Sequence, residues 1–495
     1  MTDVLVVGAG PTGLTLACML ARQGVSVRIV DRAPAAQPGS RGFSVKPRTL
    51  EIFDDLGIAD PIVAAGRFAA RTRVHLGGSL LADFTIEQDK PSVTRPYPNS
   101  LALPQFSTEE ILRGRLADFG VSVEFGSGVR DFRTETAGVV AGLDTGESVH
   151  ASYLVGCDGG RSTVRKNLGL RFLGRTEDDF RVLLADAYIE GLDHEDATQL
   201  WLGDDTFVLR PSTPGGRWQV VASVSPDHPE PSAQLLEKLA RERAGLELRL
   251  VDTNWLSVWR YNLRMVETYR VGPVFLAGDA AHVHSPFGAF GMNTGIQDAY
   301  NLGWKLGMVL RGQAGDALLD TYQEERLPVA RAILAESDRT FSAAARPPAF
   351  LRPLIPLLVK PYLTRLNKRG RYDHPSYPDS SLSVGPRAGT SAPDGRYRTG
   401  SLFDLYRGTH VTVLAFGRPL PENLEDAYGS AVRAYPVDSA DIRRVYQVRN
   451  GSFVVIRPDG YVGAVVREVA ELTDYLDQTL SLRKAELVAG NQIHC

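Results

Sequence analysis

Cysteine is scarce in this chain. Only Cys18, Cys157 and Cys495 occur among 495 residues, far apart and without a CxxC spacing. That excludes a disulfide framework and a zinc knuckle, and it suits a reducing cytoplasm. Cys18 lies in an apolar helical pattern and Cys157 ends an apolar strand-like run, so both read as core residues. An excess of charge is also missing: 55 Lys and Arg against 58 Asp and Glu leave a formal net charge of −3. No basic field exists for nucleic acid or anionic lipid. The apolar runs break within about a dozen residues, too short to span a bilayer. Asp3 stands near the N-terminus with no basic region ahead of an apolar segment, so a soluble, non-secreted, cytoplasmic protein is expected. The composition, 43% hydrophobic and 23% charged, is ordinary for folded domains, and the length suggests about three of them.

The chain opens on a β-branched run, residues 3–7, then Gly8-Ala9-Gly10-Pro11-Thr12-Gly13, a helix over 14–23, and a second strand over 26–30 ending at Asp31. Strand, glycine turn, helix, strand and acid in that order form a dinucleotide-binding signature. Gly8 permits the tight turn, Gly10 lets backbone N–H groups approach a pyrophosphate, and Gly13 allows close helix–strand packing. The helix N-terminus adds partial positive charge. The Asp31 carboxylate can accept both hydrogen bonds of a ribose diol and repels a 2′-phosphate, so the resident nucleotide is expected to be FAD or NAD.

No second βαβ unit follows. The chain runs into Arg41, Pro47 and a helix over 48–56. Two later segments read as strands delivering an acid into a turn: 153–165, with Asp158, and 273–295, with Gly278-Asp279. Between them, 180–265 alternates as a mostly antiparallel sheet would, at 199–202, 206–209 and 218–224. Helices are expected over 296–310 and 317–340. Residues 341–398 are proline-rich, and the last hundred return to strands at 411–416, 452–456 and 461–466.

GAGPTG at 8–13, CDGGRSTVR at 157–165 and GDAAHVHSPFGAFGMNTG at 278–295, in this order and spacing, resemble the three signatures of the single-component flavoprotein aromatic hydroxylases. VIRPDGYV at 455–462 resembles the end of the thioredoxin-like domain of the branch that includes phenol hydroxylase and the polyketide hydroxylases, here without its CxxC. The resemblance implies an α/β fold: a discontinuous Rossmann-like FAD-binding domain over 1–179 and 266–345, an inserted, mostly antiparallel substrate domain over 180–265 joined by part of 70–105, a helical, Pro-rich connector over 346–385, and a thioredoxin-like domain over 386–495.

It also implies that FAD is held by Gly8, Gly10, Pro11, Thr12, Gly13, Asp31, Arg32, Arg41, Gln105, Asp158, Gly278, Asp279, Pro286, Gly291, Met292 and Asn293. Pro286, Gly288 and Phe290 would stand near the isoalloxazine, with Met292 and Asn293 N–H groups toward its pyrimidine edge. Asp158, which also reads as a helix cap, would serve the pyrophosphate and NAD(P)H. Ala289 departs from the second Gly common in the larger branch, which bears on flavin mobility.

The implied reaction takes NADPH or NADH as transient reductant, adds O₂ at the flavin C4a carbon and hydroxylates an aromatic substrate, phenolic or polycyclic. Oxidative decarboxylation, Baeyer–Villiger oxygenation, antibiotic inactivation and a non-catalytic FAD-holding role are the alternatives. Trp201, Phe207, Arg210, Trp218 and Tyr261 are substrate-cavity candidates, each weighed against simple packing, and the catalytic base is not identified. The pair His282 and His284 reads as packing or hydrogen bonding beside FAD rather than as a metal site. The resemblance implies a homodimer, and the apolar run 351–358 reads either as its contact or as an internal docking surface.

Overall fold

The computed structural model describes residues 1–39, 42–68, 71–76, 78–85, 88–192, 197–202, 205–212, 216–228, 230–284, 290–345, 361 and 374–485; the side chains of 178–180, 254, 261 and 340–345 lie outside the description. Residues 351–358, the expected contact surface, fall outside it too. The fold is mixed α/β, with two compact units. One comprises Met1–Pro91, Tyr97–Tyr300 and Arg326–Asp373, the other Ser92–Pro96, Asn301–Glu325 and His374–Cys495. The larger helices are α1 (Pro11–Ala21), α2 (Pro47–Asp55), α3 (Ala59–Ala65), α4 (Gln105–Asp118), α5 (Thr163–Asn167), α6 (Ala233–Ala244), α7 (Gly291–Leu310) and α8 (Asp320–Ala345). The division between units falls within α7 and α8.

In the first unit, Thr2–Val7 pairs in parallel with Val27–Asp31 on one side and Ser148–Gly156 on the other. Val123–Phe125 and Val274–Leu276 extend the parallel run outward. Val4, Leu5, Leu154, Val155 and Phe275 are fully buried, the near-continuous apolar pattern of a sheet covered on both faces. Three strands that end at Val7, Gly156 and Leu276, far apart in the chain, therefore end side by side, and the loops after them open along the same edge.

The second sheet is largely antiparallel. Its long strand Leu173–Glu190 pairs with Arg217–Val224 and with Arg249–Met265. Phe207–Pro211 and Ala197–Leu202 follow, and Arg71–Leu76 joins the last in parallel and carries Ser79–Thr85 as the edge. One face is covered by α6, which buries Leu235, Leu236 and Leu239 against Leu183, Phe207, Leu209, Trp218 and Val220. Ser232 caps α6 by accepting the Leu235 N–H, and Gly245 ends it in the left-handed conformation, as helix termini favour.

The second unit carries a four-stranded sheet. Val411–Phe416 runs parallel to Val432–Val437 and antiparallel to Ser452–Ile456, which pairs with Val462–Val466. Beneath it lies a fully buried ionic cluster. Lys305 Nζ donates to Glu325 Oε2 (2.8 Å) and Asn301 Oδ1 (2.9 Å), while the Arg457 guanidinium bridges Glu325 and Asp459. Two cations and two carboxylates balance, which is what makes such burial tolerable.

Two expected boundaries move. α7 starts at Gly291, five residues before the apolar periodicity begins, and α8 is preceded by a 3₁₀ turn at Asp316–Leu319 and runs on to Ala345.

Candidate active site

The three glycines of the opening loop are constrained by different things. Gly8 has φ +104°, and a Cβ there would meet the Cys157 carbonyl oxygen at 2.4 Å; at Gly13 a Cβ would lie 1.9 Å from the Gly8 oxygen. Protein packing alone therefore demands both. Gly10 is different: its φ is −76°, and a Cβ would meet nothing within 4 Å. Nothing in the protein requires glycine at position 10. Open space before the first N–H groups of α1, with Pro11 at the first helical position, fits a phosphate ligand that needs the backbone bare.

Asp31 closes the loop. Its Oδ2 accepts the Ala9 N–H (2.7 Å) and its Oδ1 the Ala33 N–H (2.8 Å), so each oxygen is oriented by backbone while retaining a lone pair for a ribose hydroxyl. Arg32 beside it is exposed. Thr12 sits where Cβ atoms on Gly278 and Gly295 would approach its hydroxyl to 2.5 and 2.3 Å; the first and third signatures are thus in contact. Asp279 follows Gly278 in an exposed 3₁₀ turn.

Asp158 is a cap: Oδ2 accepts the Thr163 and Val164 N–H groups (2.6 and 3.1 Å). Its Oδ1 is buried without a hydrogen-bond partner. One oxygen thus holds α5, and the other is left for something else. Arg165 is tied back to the Ala280 and Gly160 carbonyls, which joins the second signature to the third.

Gln105 opens α4. Its Oε1 accepts the Gly42 N–H (3.0 Å) and its Nε2 donates to Glu109 Oε1 (2.7 Å). Burial pushes the Glu109 carboxyl up to about 7, against the pull of Gln105 and Arg113. Gly42 lies close to Met292, whose Sδ would be 3.2 Å from a Cβ there. Asn293 pins the start of α7: its Oδ1 accepts from the Lys46 N–H (2.9 Å) and Thr49 Oγ1 (2.7 Å), and its Nδ2 donates to the Ser44 carbonyl (2.8 Å). These bonds explain why the helix begins at Gly291 without an apolar periodicity to announce it.

Behind this surface, Asp298 is fully buried. Its carboxylate accepts from Arg326 Nε (2.7 Å), faces His282 Nε2 (2.7 Å) and accepts the Gly278 N–H (3.0 Å). Burial alone would raise its pKa, but Arg326 and His282 hold it below the usual carboxylate range. His282 stacks on His284 at 5.4 Å. Both ring nitrogens of His284 are buried without hydrogen-bond partners.

Arg41, Pro286, Gly288 and Ala289 lie outside the described residues. Of the five substrate candidates, Trp201, Phe207 and Trp218 lie in the core beneath α6, the packing reading weighed for each of them. The Tyr261 side chain is outside the description, its backbone pairing with Glu177. Arg210 points from the opposite face of its strand, 4.8 Å over the ring of Phe43, the neighbour of Gly42. Burial lowers its pKa, and no charged neighbour among the described residues offsets that.

The sequence reading passed over Glu109, Lys46 and Phe43. Only the Lys46-Pro47 pair, a helix start, offered a local signal.

The model for the FAD binding domain matches residues 1–337. A flavin-dependent monooxygenase of Mycobacteroides abscessus is 40% identical, covering 96% of this chain and 99% of its own length. The chain belongs to the flavin-dependent monooxygenases. The 6-methylpretetramide 4-monooxygenase of Streptomyces rimosus is 37% identical over 93% of this chain and 90% of its own length. Among solved structures, a ternary complex of aklavinone-11 hydroxylase with FAD and aklavinone superposes with a TM-score of 0.79 at 27% identity, over 97% of this chain and 99% of that one. As a flavin-dependent monooxygenase the chain takes FAD as cofactor, and the open cradle at Gly10 and the α7 N-terminus fit it. Among the described residues no helix is long and apolar enough to cross a membrane.

Proposed function

We propose that this monooxygenase uses NADPH or NADH and O₂ to hydroxylate a polycyclic or phenolic aromatic compound that carries an ionised oxygen. FAD supplies the oxygen-activating chemistry when bound. The observation that carries the substrate class is Arg210, a half-buried cation set over Phe43 on the side of the sheet away from α6, whose burial no charged group among the described residues offsets. An uncompensated guanidinium next to an aromatic ring suits a planar anion, by charge-assisted hydrogen bonding and stacking. The names of the relatives, a pretetramide and an aklavinone hydroxylase, support a bulky aromatic.

In this reading Gly10 and the α1 N-terminus bind the pyrophosphate, Asp31 and Arg32 the adenosine end, and Gln105 and Asp279 the ribityl chain. The free Asp158 oxygen faces the pyrophosphate or the incoming NAD(P)H. Met292 and Asn293 N–H groups meet the pyrimidine edge. The first sheet acts as a Rossmann-like nucleotide domain, the second as the substrate sheet, and the C-terminal sheet as a thioredoxin-like domain without a redox pair. A homodimer goes with this reading.

The test is NADPH and NADH oxidation under air with a panel of phenols and polycyclic aromatics, following peroxide and product mass together. A compound that accelerates oxidation and gains one oxygen without matching peroxide supports hydroxylation. Slow oxidation or peroxide alone with every compound overturns it. Arg210→Gln should raise KM for the accepted substrate at least about tenfold, the loss of one charge-assisted hydrogen bond, with the flavin spectrum unchanged.

A further inference from the structure

His284 follows the short strand His282–Val283, which pairs with Arg264–Met265. The residue is 6% exposed, and neither Nδ1 nor Nε2 of its ring has a hydrogen-bond partner. The preceding imidazole is anchored: His282 Nε2 stands 2.7 Å from Asp298 Oδ2, and its ring stacks on His284 at 5.4 Å with 20° between the planes. His284 thus packs by its face and leaves its polar edge unused. A position chosen for packing alone is better filled by an apolar side chain, because buried polar atoms without partners cost stability.

That edge borders the start of α7. A Cβ built on Gly291, the first residue of the helix, would lie 3.7 Å from His284 Cε1 and 3.9 Å from Nδ1. Among the described residues nothing else outside the start of the helix stands within 4 Å of that point. The first N–H groups of a helix have no acceptor within it, so orphan donors of α7 and the ring edge of His284 border the same space. Burial first, and then the charges of His282 and Lys46, push the His284 pKa down to about 3, against the pull of Asp298. At neutral pH the ring is therefore uncharged and offers one donor and one acceptor. Such a ring also suits a metal, but among the described residues no group of His, Cys, Asp and Glu that could hold one is found.

From this geometry we infer that His284 hydrogen-bonds the polar edge of the flavin ring where that edge meets the start of α7, and so fixes the ring against the helix. The proposal rests on the reading that the ring lies at the start of α7. The pyrimidine edge of a flavin alternates carbonyl oxygens with an N–H, and a neutral imidazole can meet either by its choice of tautomer. His284 is held for this task by its stack on His282, which Asp298 fixes and Arg326 fixes in turn. The contact is thereby formed before the ligand arrives, and little ordering is left to do on binding.

The test uses the full chain and three readouts other than turnover: FAD affinity, the carbonyl stretching bands of the bound oxidised flavin, and the thermal midpoint of the flavin-free protein. His284→Phe keeps a ring against His282 and removes both nitrogens. It should weaken FAD binding about three- to tenfold, the worth of one neutral hydrogen bond, and raise a carbonyl band. The flavin-free midpoint should stay unchanged or rise. His284→Asn, whose amide reaches the position of Nδ1, should keep affinity and bands near wild type. Wild-type affinity and bands in His284→Phe overturn the proposal and leave water as the partner of the ring nitrogens. A lowered flavin-free midpoint with an affinity that His284→Asn does not restore marks a packing role and overturns it as well. Should His284→Phe fail to fold, His284→Leu takes its place with the same expectations. Gly291→Ala tests the placement of the ring by itself, since the protein meets a Cβ there only at ordinary contact distance. Unchanged FAD affinity in that variant refutes the placement, whereas a weakened Gly291→Ala beside an unaffected His284→Phe refutes the part of His284 alone.

Discussion

Gly8 and Gly10 stand two positions apart, yet alanine at each asks a different question. At Gly8 the new Cβ meets the Cys157 carbonyl and must adopt φ +104°, a conformation that costs a non-glycine residue about 1–3 kcal/mol before the clash is counted. Gly8→Ala should therefore lower the thermal midpoint of the flavin-free protein. At Gly10 nothing stands within reach of a Cβ, so Gly10→Ala should fold with an unchanged midpoint and lose FAD affinity at least about tenfold, read by flavin fluorescence on titration. Equal destabilisation by the two changes would mean that the space at Gly10 belongs to the protein rather than to a ligand. Lys305 poses a related question in the second unit. Burial draws its ammonium down to about 8 against the pull of Glu325. Lys305→Met leaves two carboxylates facing Arg457 alone, and removing one partner of a buried ionic group costs about 3–5 kcal/mol. Lys305→Met/Glu325→Gln restores the balance and should recover part of the loss, as measured by urea unfolding.

At the scale of elements, side chains rather than loops decide where helices begin and how they are held. Asp298 fastens the end of Val274–Leu276, His282 and α8 to α7 through one carboxylate. Because its folded pKa lies below the ordinary 3.8, the stability it contributes is fully present above pH 3.8. That contribution is lost as pH falls through the folded value. Asp298→Asn leaves Arg326 without its charge partner and should cost about 3–5 kcal/mol at pH 7. The cost of the same substitution should shrink as pH falls below 3.8, over the range in which the wild type is still folded. Glu109 runs the other way. Its carboxyl is raised to about 7, so its contribution is full below the ordinary 4.5 and is lost as pH rises through 7. Glu109→Gln in the flavin-free protein should therefore gain on the wild type in thermal midpoint between pH 5 and pH 8. The sequence made α1, the parallel strands and the C-terminal strands legible, because apolar period and glycine punctuation agree there. It concealed the first five residues of α7, because Gly291-Met292-Asn293-Thr294-Gly295 shows no apolar face and is helical through the bonds of Asn293 to Ser44, Lys46 and Thr49, some 245 residues away.

At the scale of the whole chain, what could be read from sequence was the set of segments proposed to hold FAD; what could not was their mutual support. Gly8–Gly13, Asp31, Asp158 and Gly278–Asp279 are separately visible in motifs, whereas Gln105 entered only through the family resemblance. The contacts that assemble them, Thr12 against Gly278 and Gly295 or Arg165 on the Ala280 carbonyl, join residues more than a hundred positions apart and leave no local pattern. Trp201, Phe207 and Trp218 could be read from sequence as core or as cavity lining for the same reason, since only the position of α6 shows which face of their sheet it covers. A ligand that touches so many remote segments should order them together. FAD at about 1,000 times its dissociation constant stabilises a folded state by about 4 kcal/mol through mass action alone. In hydrogen exchange, amides at 8–13, 31–33, 278–279 and 291–293 should gain protection on FAD addition, whereas α6 and the strands beneath it should not. Gly10→Ala at the same FAD concentration should reduce the gain at all four segments together, by about 1.4 kcal/mol for each tenfold loss of affinity. If protection at 291–293 stayed at the wild-type level while that at 8–13 fell, the pyrophosphate cradle and the start of α7 would not serve the same ligand, and the placement of the flavin ring at the start of α7 would have to be abandoned.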